Sequence, residues 1–73
     1  MSNTTSNRYE IWVQAHGSNW QEASTRTLVK AKAEAEGLVK AYRRQGAQEA
    51  TAKVYDMSKT DDKGSQGVLV FTV

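Results

Sequence analysis

Residues 26–45, RTLVKAKAEAEGLVKAYRRQ, decide the fold of this chain. At about 3.6 residues per turn, Leu28, Ala31, Ala35, Leu38, Val39 and Tyr42 fall within one arc of roughly 100°, while Lys30, Lys40 and Arg44 lie on the opposite side. The pattern predicts an amphipathic helix with a single core face. Ser24, Thr25 and Thr27 offer N-caps ahead of it. Behind it, Gly46 suits the left-handed C′ position, and Arg43 with Arg44 complements the negative end of the helix dipole. Glu36 and Lys40 stand in the favourable i,i+4 order. Gly37 costs about 1 kcal/mol relative to alanine in mid-helix and falls on the polar face, where this protein's own sheet does not require it.

Upstream, Arg8 to Ala15 (RYEIWVQA) alternates, with Tyr9, Ile11, Val13 and Ala15 on one side and Arg8, Glu10, Trp12 and Gln14 on the other, which predicts a half-buried strand. His16-Gly17-Ser18-Asn19 follows as a turn. Trp20 to Ala23 admits two readings: a helix start, with Asn19 and Glu22 resembling a capping box, or a short second strand closing a hairpin. The hairpin is favoured because later caps stand next to the periodic segment. Downstream, Ala50 to Met57 and Gly67 to Val73 read as two more strands, joined by a solvated loop over Ser58 to Gln66. In the last strand Leu69, Phe71 and Val73 share one face and Val68 and Val70 the other. Both faces are thus apolar, which predicts a central strand.

The order β-(β)-α-β-β defines an α+β fold, with one amphipathic helix packed on a small antiparallel sheet of three to four strands. Residues 8–73 are expected to form this single domain. Residues 1–7 (MSNTTSN) read as a disordered tail, too polar for a secretory signal or a membrane anchor.

At 73 residues the chain supports only a thin core. Having no cysteine, it has no disulfide, thiolate nucleophile or sulfur-ligated zinc, and its single histidine, His16, excludes a histidine cage. The longest apolar run, Val68 to Phe71, is far below the roughly 20 residues of a membrane span, so a cytoplasmic protein without membrane contact is expected. Catalytic chemistry is sparse as well. His16 stands in a turn with no acidic neighbour in sequence, Asp61-Asp62 lacks the spacing of a calcium loop, and Gly64-Ser65-Gln66-Gly67 lacks the lysine and helix of a phosphate loop. These features predict a protein that is not an enzyme and that holds no metal and no cofactor.

What remains is surface. Residues 1–45 carry seven Lys/Arg against four Asp/Glu, so the net charge of +2 is concentrated in the first half of the chain. If the helix covers the Tyr9/Ile11/Val13 side of the sheet, Trp12 points outward with Arg8, and tryptophan with arginine is a common interface anchor. The bland alternative has Trp12 stacking on Tyr55 to hold the sheet together. Trp20 is expected as a lid on the core. The candidate partner-binding residues are therefore Arg8, Trp12 and Tyr55 on the sheet and Lys30, Lys40, Arg43 and Arg44 on the helix, with both arginines of the pair exposed. Such surfaces serve a protein-binding regulator. They equally serve a small nucleic-acid module, with Trp12 and Tyr55 stacking on bases and the cations meeting phosphates, or an anti-defence protein of the anti-CRISPR kind.

Four segments carry a resemblance that spans the whole chain: RYEIWVQA, TLVKAKAEAEGLVKAYRRQG, ATAKVYDM and GVLVFTV. In them the chain resembles the small host RNA-polymerase-binding transcription regulators of lytic Xanthomonas phage. A monomer is expected, and the resemblance implies a non-enzymatic protein acting in the cytoplasm of the host bacterium. It would bind RNA polymerase at the N-terminal region of β′ and at the β flap, inhibit initiation by displacing σ, and promote antitermination, with at most a weak nucleic-acid contact. It transfers no individual contact residues, so the candidates above rest on the surface argument.

Overall fold

The computed structural model describes residues 7–73; the expected tail falls almost entirely outside them, and its last residue, Asn7, donates from its side-chain amide to Ser24 Oγ at 3.1 Å. The elements run β1 (Tyr9–Ala15), β2 (Ser18–Thr25), α1 (Leu28–Arg44), β3 (Thr51–Thr60) and β4 (Gln66–Thr72). The four strands form one antiparallel sheet in the order β2-β1-β3-β4, and α1 packs on one face of it, giving an α+β fold.

The hairpin reading of Trp20 to Ala23 holds, and the capping-box reading fails. Trp20 pairs with Val13 and Ala23 with Ile11, which brings both onto the helix-covered side of the sheet. The connection is tighter than the four residues expected. Only His16 (φ 54°) and Gly17 (φ 78°) make the turn, with both φ values positive as a two-residue hairpin loop compatible with strand twist requires, so Ser18 and Asn19 already belong to β2. The helix then begins one residue after Thr27, whose hydroxyl accepts from the Lys30 N–H at 3.2 Å. It ends in a Schellman arrangement: the Ala47 N–H donates to the Tyr42 carbonyl and the Gly46 N–H to the Arg43 carbonyl, with Gly46 at φ 107°.

The core is built from small side chains. Of the eleven buried apolar residues among those described six are alanines, and the largest fully buried side chains are Ile11, Val13, Val39 and Val54. Ala31 and Ala35 let α1 approach the sheet closely, while Leu28, Leu38 and Tyr42 close its margins half-buried. The arc read from the sequence is thus the core face. The i,i+4 pair Glu36–Lys40, however, is not formed. The one salt bridge among the described residues joins Arg8 to Asp56.

Two expectations for the C-terminal hairpin are corrected. β3 continues to Thr60, so the connector spans 61–65 rather than Ser58 to Gln66. It is closed by Asp61, whose carboxylate accepts from the backbone N–H groups of Lys63 (2.9 Å) and Ser65 (2.8 Å). β4 is an edge strand, not a central one. Its alternation also breaks: Phe71 pairs with Val54 and Leu69 with Tyr55, leaving Val70 as an extra residue in a bulge. Phe71 and Val73 therefore face the core, while Leu69 lies on the opposite face beside Tyr55.

Candidate functional site

Strand alternation builds the site. In β1 and β3 the inward residues Ile11, Val13, Ala52 and Val54 are buried against α1, so their neighbours must face the other way, onto a side of the sheet that no helix among the described residues covers. β1 contributes Glu10, Trp12 and Gln14 to this open face, and β3 contributes Thr51, Lys53, Tyr55 and Met57. Asn19 from β2 and Gln66 from β4 close its two sides. Together they line a shallow groove of about 310 Å³.

The register fixes who faces whom. Trp12 lies directly across from Lys53 on one side and Gln21 on the other, and Glu10 lies across from Tyr55. The Trp12 indole N–H donates to the Glu10 carboxylate at 3.1 Å, which orients the ring within the groove. Trp12 and Tyr55 are both half-buried but do not stack; the one aromatic pair among the described residues is Trp20–Tyr42, on the helix side. There Trp20 covers the core margin edge-on against Tyr42, with ring centroids 5.7 Å apart. Glu22 accepts hydrogen bonds from both rings, and its carboxylate beside the Tyr42 hydroxyl holds that phenol above its ordinary pKa.

The seven candidate residues do not form one surface. Trp12 and Tyr55 share the open face. Lys30, Lys40 and Arg44 are exposed on the outward side of α1, across the thickness of the domain from them. Arg43 is engaged in structure, its guanidinium donating to the Ala50 carbonyl at 3.0 Å across the α1–β3 connector. Arg8, expected beside Trp12, instead clasps Asp56, whose register partner Tyr9 is a core residue. Arg8 Nε and Nη2 donate to the two Asp56 oxygens at 2.9 and 2.8 Å, and Ser58 adds its N–H and hydroxyl. The Arg8 hydrogen bonds hold the Asp56 carboxyl well below the ordinary carboxylate range, against a burial that acts in the other direction. A bidentate clasp on a carboxylate this buried is a structural part, because leaving the carboxylate unpartnered is costly.

Lys53, Gln14 and Met57 belong to the groove and were not among the residues singled out. Period-two alternation, followed through β3 from Tyr55, reaches Lys53 and Met57 directly, so the signal was present in ATAKVYDM. The contact between His16 and Glu49 left no such trace. The His16 N–H donates to the Glu49 carboxylate at 2.7 Å across 33 residues of chain. Backbone hydrogen bonds, Glu49's own first and that of His16 next, keep this carboxyl below its ordinary pKa.

The groove offers an aromatic floor, one cation and one carboxylate already engaged with an indole. That combination suits docking of an apolar or aromatic side chain from a partner with polar contacts around it. Among the described residues, no group of three or more His, Cys, Asp or Glu is placed to hold a metal, and no helix is long and apolar enough to cross a membrane. Compared with models of known families, with curated proteins and with solved structures, the chain matches none.

Proposed function

We propose that this chain is a phage-encoded, non-enzymatic regulator that binds bacterial host RNA polymerase, and that the open sheet face is its contact surface. The carrying observation is the groove around Trp12, with Lys53 opposite it and Tyr55 beside it. Tryptophan and tyrosine in a partly enclosed site are what interface energies concentrate on. The resemblance of the four sequence segments supplies the partner, with β′ N-terminal and β-flap contacts near the RNA exit channel, σ displacement at initiation and antitermination as its consequences. An 8.1 kDa chain acts in such a role by occupying or displacing, which needs a surface and no chemistry.

A nucleic-acid module is the weaker reading. It would need bases on Trp12 and Tyr55 and phosphates on the helix cations, yet these lie on opposite sides of the domain, and the groove itself balances Lys53 with Glu10. An anti-defence protein would use the same groove on another host complex.

Capture of purified bacterial RNA polymerase by the immobilised chain at moderate salt tests the proposal. Retention by the wild type, weakened about 30-fold or more by Trp12→Ala and unchanged by Lys40→Glu, is the expected result. No retention of polymerase overturns the partner. Retention that Trp12→Ala leaves intact overturns the surface. Steeply salt-dependent binding to short DNA or RNA, without polymerase binding, would favour the nucleic-acid reading.

A further inference from the structure

We infer that two copies of this chain pair edge to edge through β4, antiparallel about a two-fold axis, to form one continuous eight-stranded sheet. The inference goes beyond the proposed partner and is independent of it, and it replaces the monomer expected from the sequence.

The argument begins with what β4 is made of. From Gly64 to Val73 no side chain carries a charge, and Val68, Leu69, Val70, Phe71 and Val73 make the segment apolar on both faces. That composition belongs to a strand with neighbours on both sides, yet among the described residues β4 hydrogen-bonds only to β3. Leu69 is 47% exposed and Val70 36%, two of the three large apolar residues left exposed among those described. Edge strands are ordinarily blunted by charge, by proline, by bulges or by cover from another element; β4 has no charge and no proline, and among the described residues its outer edge is uncovered, so its bulge at Val70 is the only such device it carries.

The opposite edge shows the contrast. β2 reads SNWQEAST, mostly polar and exposed, with a ladder irregularity opposite Ile11/Trp12 and the charged Glu22 within it. Both edge ladders are irregular, so what guards β2 and not β4 is its polar and charged composition.

A second copy is the occupant that the chemistry of β4 fits. An uncharged strand meets no like-charge repulsion when it lies against itself, and a two-fold interface requires a self-complementary surface of this kind. Pairing centred on Leu69 brings the two Leu69 side chains together as cross-strand neighbours on the open face. The bulge at Val70 bends the strand C-terminal to that point, so the ladder is short and the dimer weak, at the low end of interface sizes. Because the two-fold axis runs perpendicular to the sheet, both helices fall on one side and both Trp12 grooves on the other. The product is a bivalent surface.

Sedimentation of the full chain from about 10 μM to 1 mM, together with cysteine cross-linking, tests this. Expected is a concentration-dependent shift from 8.1 kDa towards twice that mass, with the dissociation constant raised at least tenfold by Leu69→Lys. Because the chain has no cysteine, Leu69→Cys introduces a single thiol, and it should form an intermolecular disulfide under mild oxidation while Gln21→Cys on the guarded edge does not. The cross-link reads the pairing even if Leu69→Lys disturbs folding. A single 8.1 kDa species up to 1 mM overturns the inference. So does a dimer that Leu69→Lys leaves intact, or equal cross-linking through Leu69→Cys and Gln21→Cys. Polymerase capture bears only on the proposed function, so the two ideas fail separately.

Discussion

Ile11 and Trp12 are adjacent in β1 and face opposite sides of the sheet, so replacing them separates the core from the candidate site. Ile11 is wholly buried, paired with Val54 and Ala23 beneath α1. Ile11→Val removes one methylene, about 0.8 kcal/mol of lost burial. The void adds to this, and in a core with six alanines among eleven residues few side chains are long enough to swing into it. A total of about 1–1.5 kcal/mol follows, in the upper part of the range for this substitution. The whole domain has only roughly 4–11 kcal/mol of stability, at about 0.05–0.15 kcal/mol per residue. The expected fall in Tm is about 5–10 °C, at roughly 4–8 °C per kcal/mol for a chain of this size. Trp12→Ala, by contrast, should lower stability by less than about 1 kcal/mol while removing partner binding. Thermal unfolding followed by far-UV circular dichroism, with urea titrations at unchanged m-value, measures both. A shift below about 2 °C for Ile11→Val, or a larger loss of stability from Trp12→Ala than from Ile11→Val, would refute the assignment of the two faces. Leu38, which the helical arc also marks as core, is only half-buried, so Leu38→Ala should cost less than the roughly 2–5 kcal/mol of a fully buried leucine.

Three more outcomes follow from particular contacts. The folded-state pKa of Asp56 lies below its unfolded value, so its contribution to stability is complete above about pH 4 and is lost as pH falls towards the folded value. Tm should therefore decline between about pH 4 and 2, and Asp56→Asn should flatten that decline; an unchanged slope would contradict the clasp. Arg44→Glu should leave Tm within about 2 °C, whereas Arg43→Glu should cost about 1 kcal/mol by releasing the Ala50 carbonyl, a difference visible in paired melting curves. Gly46→Ala, at φ 107°, should destabilise by roughly 1–2 kcal/mol. Gly37→Ala, in open space on the helix exterior, should stabilise by up to about 1 kcal/mol, and urea midpoints of the two variants should move in opposite directions.

The amino-acid sequence by itself determined α1, its core face and its caps, the existence of the strands and the outward direction of Trp12. Each of these is a consequence of period and local backbone preference within a short stretch of chain. Trp20 and Ala23 were legible as a strand for the same reason, once Thr27 stood ready to cap the helix. The tertiary structure alone decided which strands are neighbours, because pairing is a contest among distant segments that no local period encodes. That is why β4, apolar on both faces, reads as central yet lies at the edge, and why the bulge at Val70 returns Phe71 to the core while Leu69 faces out. It is also why Arg8 leaves Trp12 for Asp56, 48 residues away: a buried carboxylate draws the nearest guanidinium, and only the β1–β3 register makes Arg8 the nearest. The basic residues counted together along the chain are parted by the sheet itself, with Arg8 and Arg43 tied into the fold, and the groove around Trp12 is left as the candidate site.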